Sequence, residues 1–375
     1  MTRLTALIKK EFIQMRRDRI TLAIMVVMPL FQVLIFGFAI NTDVKHLAAA
    51  VFDQSLSRES REFIEALTAT EYYDITCAAS SLQEITDQLQ AGGVKAGIII
   101  PPDYAAGLKN GRGSQVQVIV DATDSIAATS AINTAQLVGE SKSREILVRK
   151  LRAAGIAGLE TSALDVRIRP WYNPDFITAF YMVPGLCATI LTLTMILTTS
   201  LAIIRERERG TLEQLMVTPL RPYELMLGKI IPYIAMGYTQ LTVLLLAAKL
   251  VFGVPFQGSV FLLYLLTGLF ITASLGLGLF ISNTAKTQMQ GIILSFSFIM
   301  PSVLLSGFMF PREAMPTFFY YLGYLVPITF YLKIIRGIVL KGASAEQLWP
   351  QILVLCAFIA IVMSVSILRF KKRLD

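Results

Sequence analysis

The residues that could do covalent or metal chemistry are few and scattered. His46 is the single histidine in 375 residues, and the three cysteines, Cys77, Cys187 and Cys356, lie far apart. No close Cys or His pair exists to nucleate a zinc site or a disulfide framework, so no metal ligand is expected. Gly-x-Ser-x-Gly and His-Glu-x-x-His do not occur, and the expected set of catalytic residues is empty. The phosphate-cradling loop of nucleotide hydrolases also fails. Its Gly-Lys pair could only be Gly228-Lys229, which has Ile230 where a hydroxyl should reach magnesium and Tyr223 where the first glycine belongs. No cofactor is expected on this chain, and if ATP drives it, another chain must bind the nucleotide.

Charge is what stands out. Residues 205–229, RERERGTLEQLMVTPLRPYELMLGK, hold nine charged residues in a chain that is 16% charged. Arg205 to Arg209 alternate in sign, with Arg205 three residues before Glu208 and Glu206 three before Arg209, a spacing that supports a helix. Gly210 suits the end of that helix. Thr211 followed by Gln214 matches a capping box, so a short helix is expected from Leu212, with Leu212, Leu215 and Met216 on one face. Thr218 and Pro219 stop it, and Pro222 opens the next helix. One turn of apolar face is too small to anchor in a membrane, whereas a capped knob with charged shoulders suits a groove in a partner protein. An interfacial helix with snorkelling arginines is the alternative.

The elements that must hold this connector are apolar. With 54% hydrophobic residues and a mean hydropathy of +0.61, the chain has more apolar side chain than a soluble core requires. A helical span needs about 20 apolar residues, and six are expected, at 20–40, 176–204, 230–248, 260–282, 288–308 and 349–368. The first is too long for the apolar core of a cleaved signal peptide and reads as a retained anchor. Residues 311–348 are apolar but broken by Pro316 and Pro327, and read as re-entrant or interfacial outer helices. Residues 1–19 form an amphipathic interfacial helix with Leu4, Leu7, Ile8, Phe12 and Met15 in one stripe.

If the N-terminus is cytoplasmic, the inner segments 1–19, 205–229, 283–287 and 369–375 carry six, five, one and four Lys or Arg, against five on the short outer loops. Both termini are therefore expected inside. The hydrophilic segment 41–175 holds 13 basic and 17 acidic residues, so the chain's net charge of +8 is topological and no nucleic-acid partner is implied. In that segment, strand-like runs at 47–53, 94–100, 115–121 and 164–172 alternate with helical patterns at 58–69, 81–90, 102–109 and 125–152. The expectation is an external α/β domain. The fold class is thus an α-helical polytopic membrane protein with six transmembrane helices and an α/β periplasmic domain between the first two.

The connector resembles the signature of permease subunits of type-2 ATP-binding cassette exporters, through Glu206, Arg207, Glu208, Gly210, Thr211, Glu213, Leu215, Thr218 and Pro219. Residues 300–342, MPSVLLSGFMFPREAMPTFFYYLGYLVPITFYLKIIRGIVLKG, resemble that family's fifth span and outer re-entrant segment, through Ser306, Gly307, Pro311, Pro316, Pro327 and Arg336 among others. The likeness covers nearly the whole chain, including WYNP at 171–174. It implies a bacterial inner-membrane exporter of small molecules, dimeric with itself or a similar permease, and coupled through 205–219 to a cytoplasmic subunit that holds ATP and Mg. It also implies that the external domain receives cargo or docks a periplasmic adaptor and outer-membrane channel. Thr192, Thr199, Gln288 and Ser295 are candidates for the substrate path, although hydroxyls in spans also serve helix packing. A membrane-anchored sensor with a ligand-binding external domain is the competing class, and it would need an output domain that the chain lacks.

Overall fold

The computed structural model describes residues 2–17, 19–39, 44–110, 113–153, 171–210 and 222–369. They fall into two compact units, Met1–Ile40 with Pro170–Asp375, and Asn41–Arg169. The first unit begins with α1 (Thr2–Arg17) and α2 (Arg19–Ala39). In α2, Met25 and Val33 face inward while Phe31, Ile35 and Phe38 are exposed, as a lipid-facing helix requires.

The second unit is an α/β domain: β1 (Leu47–Asp53), α3 (Arg58–Thr68), β2 (Tyr73–Ala78), α4 (Leu82–Gln90), β3 (Ala96–Ile100), α5 (Tyr104–Asn110), β4 (Gln117–Val120) and α6 (Ser125–Ala153). Strand order is β2-β1-β3-β4, with β1 parallel to β2 and β3, and β4 antiparallel to β3. One face packs Leu47, Ala49 and Ile98 against Phe63, Leu67 and Ala131, and the other packs Ala50 and Val94 against Ile85. Ser57 and Ser60 close a reciprocal cap on α3, and the Ser60 hydroxyl donates to Asp53 at 2.6 Å, tying the helix to the end of β1. Strand β2 was not legible as an apolar run: Asp74 and Thr76 interrupt it because it is a half-exposed edge. The run expected at 164–172 falls, but for its last two residues, outside the described residues.

The chain returns through Asn173, whose side chain accepts from the Ile177 N–H and donates to the Ile177 carbonyl, both at 3.0 Å. This turn starts α7 (Thr178–Glu208), followed by α8 (Pro222–Leu250), α9 (Val260–Thr284), α10 (Gln288–Leu305), α11 (Thr317–Leu322), α12 (Pro327–Lys341) and α13 (Trp349–Arg369). Among the described residues, five helices are long and apolar enough to cross a membrane: α7, α8 from Gly228, α9, α10, and α13 as far as Ser366. The stretch with α11 and α12 is a pair bent by 83°, a broken span or re-entrant loop, and Met25–Ala39 of α2 is a shorter apolar helix. The chain is therefore a multi-pass membrane protein.

The core joins α7, α8, α9 and α12. Lipid tails are as apolar as leucine, so close contact and interhelical hydrogen bonds must hold such helices together. Phe270 and Tyr331 stack with ring centroids 4.0 Å apart, and the Tyr331 hydroxyl meets Thr267 Oγ1 at 2.8 Å. The interfacial half of the expectation for 311–348 suits α11, none of whose residues is buried. It does not suit α12, where eleven of fifteen residues are buried against the bundle. Pro327 opens α12 at a position needing no intrahelical donor, so the proline that reads as a break serves as a start.

Candidate functional site

The last turn of α7 grips its neighbours with three successive side chains. The Glu206 carboxylate takes the Lys229 ammonium on α8, and Lys229 also lies 3.9 Å from Glu11 on α1. Lys229 is 5% exposed and Glu11 9%, so the cation is buried between two carboxylates. Helix α1 comes this close because residue 228 is glycine: a Cβ there would sit 2.4 Å from a methyl of Leu7. The packed face of α1 contains Leu7 and Glu11, whereas Phe12 of the expected stripe is exposed.

Arg207 Nη1 donates to the Ala285 carbonyl at 2.9 Å, at the C-terminus of α9, where unpaired carbonyls favour a cation. Glu208 accepts from the Gln288 backbone N–H at 2.8 Å and from its side-chain amide, at the N-terminus of α10, where free N–H groups favour an anion. One helix end thereby holds α1, α8, α9 and α10. Gly210, at φ +69°, donates its N–H to the Arg207 carbonyl and closes α7. Of the expected coupling residues, Glu206, Arg207, Glu208 and Gly210 belong to this clasp. Thr211, Glu213, Leu215, Thr218 and Pro219 lie outside the described residues.

At the opposite end of α7, Ser306 caps α10, accepting the Phe308 N–H at 3.2 Å. Gly307, at φ +86°, offers its carbonyl to Arg336 Nη1 at 3.2 Å and to the Tyr181 hydroxyl at 3.3 Å. The Arg336 guanidinium lies over the Tyr181 ring, 3.6 Å from its centroid. Ser306, Gly307, Pro311 and Arg336 line one cavity of about 670 Å³; Pro316 and Pro327 lie outside its walls and act at helix starts. Arg312, which sequence reasoning left as a loop charge, is 5% exposed, donates to the Tyr320 carbonyl at 2.7 Å and sits over the Tyr324 ring.

A family model described as "ABC-2 family transporter protein" matches residues 19–368. The chain belongs to the ABC-2 family. It is 31% identical over 377 residues to "Probable multidrug ABC transporter permease YbhS" of Escherichia coli (strain K12), covering all of this chain and 98% of that one. It is 30% identical over 371 residues to "Probable multidrug ABC transporter permease YbhR" of the same organism, covering 99% of each. "Inner membrane transport permease YhhJ", also from Escherichia coli, is 33% identical over 296 residues, 77% of this chain and 76% of that one. Family membership implies an ATP-binding partner subunit.

In this ABC-2 chain the expected path residues are not assembled in one place. Gln288 is part of the clasp. Thr192 is buried and donates to the Ala188 carbonyl of its own helix at 2.8 Å. The hydroxyls of Thr199 and Ser295 are buried without a hydrogen-bond partner among the described residues. Gln240, which the sequence did not single out, accepts from Thr194 at 2.8 Å across α7 and α8. The Thr194–Gln240 bond serves helix association. Among the described residues no cluster of His, Cys, Asp or Glu could hold a metal. Glu11 and Lys229 are the members of the clasp that sequence reasoning missed: 218 positions separate them, and only Lys229 lay in the charged connector.

Proposed function

We propose that this ABC-2 protein is the transmembrane permease subunit of an ATP-driven exporter of the bacterial inner membrane, moving a small or amphipathic molecule outward. The observation that carries this reading is the clasp: Glu206, Arg207 and Glu208 open the connector and bind α1, α8, α9 and α10 at once. A push delivered at 211–219 would reach those helices together instead of bending one loop. ATP and Mg belong to the partner subunit, whose closure supplies the push. The names of the relatives, multidrug and inner-membrane permeases, support the direction and the membrane.

The basic residues around the connector support a reading in which it lies in the cytoplasm with both termini and the α/β domain faces the periplasm. Two copies, or this chain and a related permease, form the pathway. Helices α10 and α13 bury only 22% and 11% of their apolar stretches, leaving surface for a second permease or for lipid. The α/β domain either receives cargo or docks an adaptor leading to an outer-membrane channel.

The test is reconstitution with a candidate ATP-binding subunit, in vesicles loaded with a panel of fluorescent amphiphiles. ATP-dependent movement of a dye, absent without the ATPase, supports an exporter. Dye binding to residues 41–169 with no ATP-dependent movement supports the sensor class.

A further inference from the structure

We propose that the cavity between the end of α10 and helix α12 is an oxyanion site, taking the phosphate of an anionic lipid headgroup or the same group free in solution. It extends the account beyond the permease reading and needs no ATPase.

The cavity is about 670 Å³, within the range of pockets that hold small ligands, and Arg312, Lys333, Arg336 and Lys341 line it against one acid, Glu313. Among the described residues, no carboxylate lies within ion-pair distance of any of these four cations. Arg336 spends Nη1 on the Gly307 carbonyl, while its Nε and Nη2 are buried with no hydrogen-bond partner among the described residues. Arg312 is in the same position: Nη2 meets the Tyr320 carbonyl and Nε is buried without a partner.

Buried guanidinium donors left unpaired are costly, and a cluster of like charge repels itself, so the arrangement calls for a ligand. A planar fork of donors matches phosphate geometry, and a tyrosine ring lies under each guanidinium, 4.3 Å away for Arg312 over Tyr324 and 3.6 Å for Arg336 over Tyr181. Apolar wall is also present in Leu332, Leu340 and Leu348, which suits a ligand carried on an acyl tail. At the clasp, by contrast, each charge meets an opposite charge or a helix terminus of opposite partial charge.

The experiment uses the delipidated full-length chain in a neutral maltoside detergent and reads the thermal unfolding midpoint on titration. The probes are short-chain phosphatidylglycerol, the phosphatidylcholine of the same tails, and inorganic phosphate. Phosphatidylglycerol is expected to raise the midpoint saturably, with phosphatidylcholine inert at the same concentration. Arg336→Gln and Lys333→Gln should each weaken the response about tenfold, while Lys249→Gln, away from the cavity, leaves it unchanged. Lys333 is exposed, so its variant keeps the test decisive should Arg336→Gln fail to fold. A response to phosphatidylglycerol alone assigns the site to a lipid headgroup, and an equal response to inorganic phosphate assigns it to a free anion. Equal responses to the two lipids, or responses that survive Lys333→Gln and Arg336→Gln, overturn the proposal.

Discussion

At the Glu206 end of the bundle, Lys229 is buried between two carboxylates, whereas at the opposite end the buried Arg312 and the half-buried Arg336 sit among carbonyls and tyrosine rings. Both ends contain desolvated cations, but only the first balances them within the chain. A balanced group acts as a joint, because moving any one helix separates opposite charges in a poorly screened place. An unbalanced group holds donors in reserve. On the two proposals above, the first end transmits motion and the second recognises an anion.

The largest effect should come from Lys229→Met, which leaves Glu11 and Glu206 buried near each other. Breaking a buried pair costs about 3–5 kcal/mol. The thermal midpoint in detergent should fall well below that of a triple variant that also carries Glu11→Gln and Glu206→Gln. If the single and triple variants unfold alike, the joint is not electrostatic. Arg312→Leu should come next, at about 1–3 kcal/mol for an orphaned carbonyl and lost donor. Its signature is local: faster proteolysis within 312–326, with the clasp end unchanged. Arg207→Ala frees the end of α9 and should cost about 1 kcal/mol. Hydrogen exchange around 281–287 reads it, and protection at wild-type level would remove Arg207 from the clasp.

The smallest effect lies in the α/β domain, where charges are exposed. The Lys95 ammonium at 2.7 Å, helped by the Thr123 hydroxyl and N–H, holds the Asp121 carboxyl well below the usual carboxylate range. A carboxyl depressed on folding contributes stability that is fully present above its unfolded value, about 3.9, and is lost as pH falls through the folded value. Amides pairing β3 with β4 should therefore lose protection in acid, and Asp121→Asn should flatten that dependence. In the same domain Tyr73 is buried, donates to the Ala131 carbonyl at 2.7 Å and has its phenol pushed up to about 12. It stays neutral throughout that range and is no confounder.

Much of the fold was legible because apolar runs and charge clusters are local signals. The five long apolar helices, and the helices of the insert, follow from hydropathy, caps and prolines. Strand β2 escaped because an edge strand has one wet face and need not alternate cleanly. The clasp was half legible: charge density marks 205–208, and Gly210 marks the end of α7. That Glu208 reaches Gln288 and Lys229 reaches Glu11 depends on tertiary contacts between segments remote in sequence. Arg336 was singled out only through the family resemblance and Arg312 only as a loop charge, because packing of a cation over a tyrosine ring leaves no mark in spacing. In the hydroxyl-rich α7, Thr192 and its neighbours bond carbonyls of their own helix, the packing alternative that the composition already allowed.

The central claim is that the end of α7 couples a motor to the helices. Its most direct test is ATP hydrolysis by the permease–ATPase complex in lipid nanodiscs, comparing wild type with Glu208→Lys and Gly210→Pro. The account predicts that both variants fold, insert and keep the Glu206–Lys229 and Arg207–Ala285 contacts but lose the stimulation that the permease confers on the ATPase. Full stimulation by both variants would contradict it.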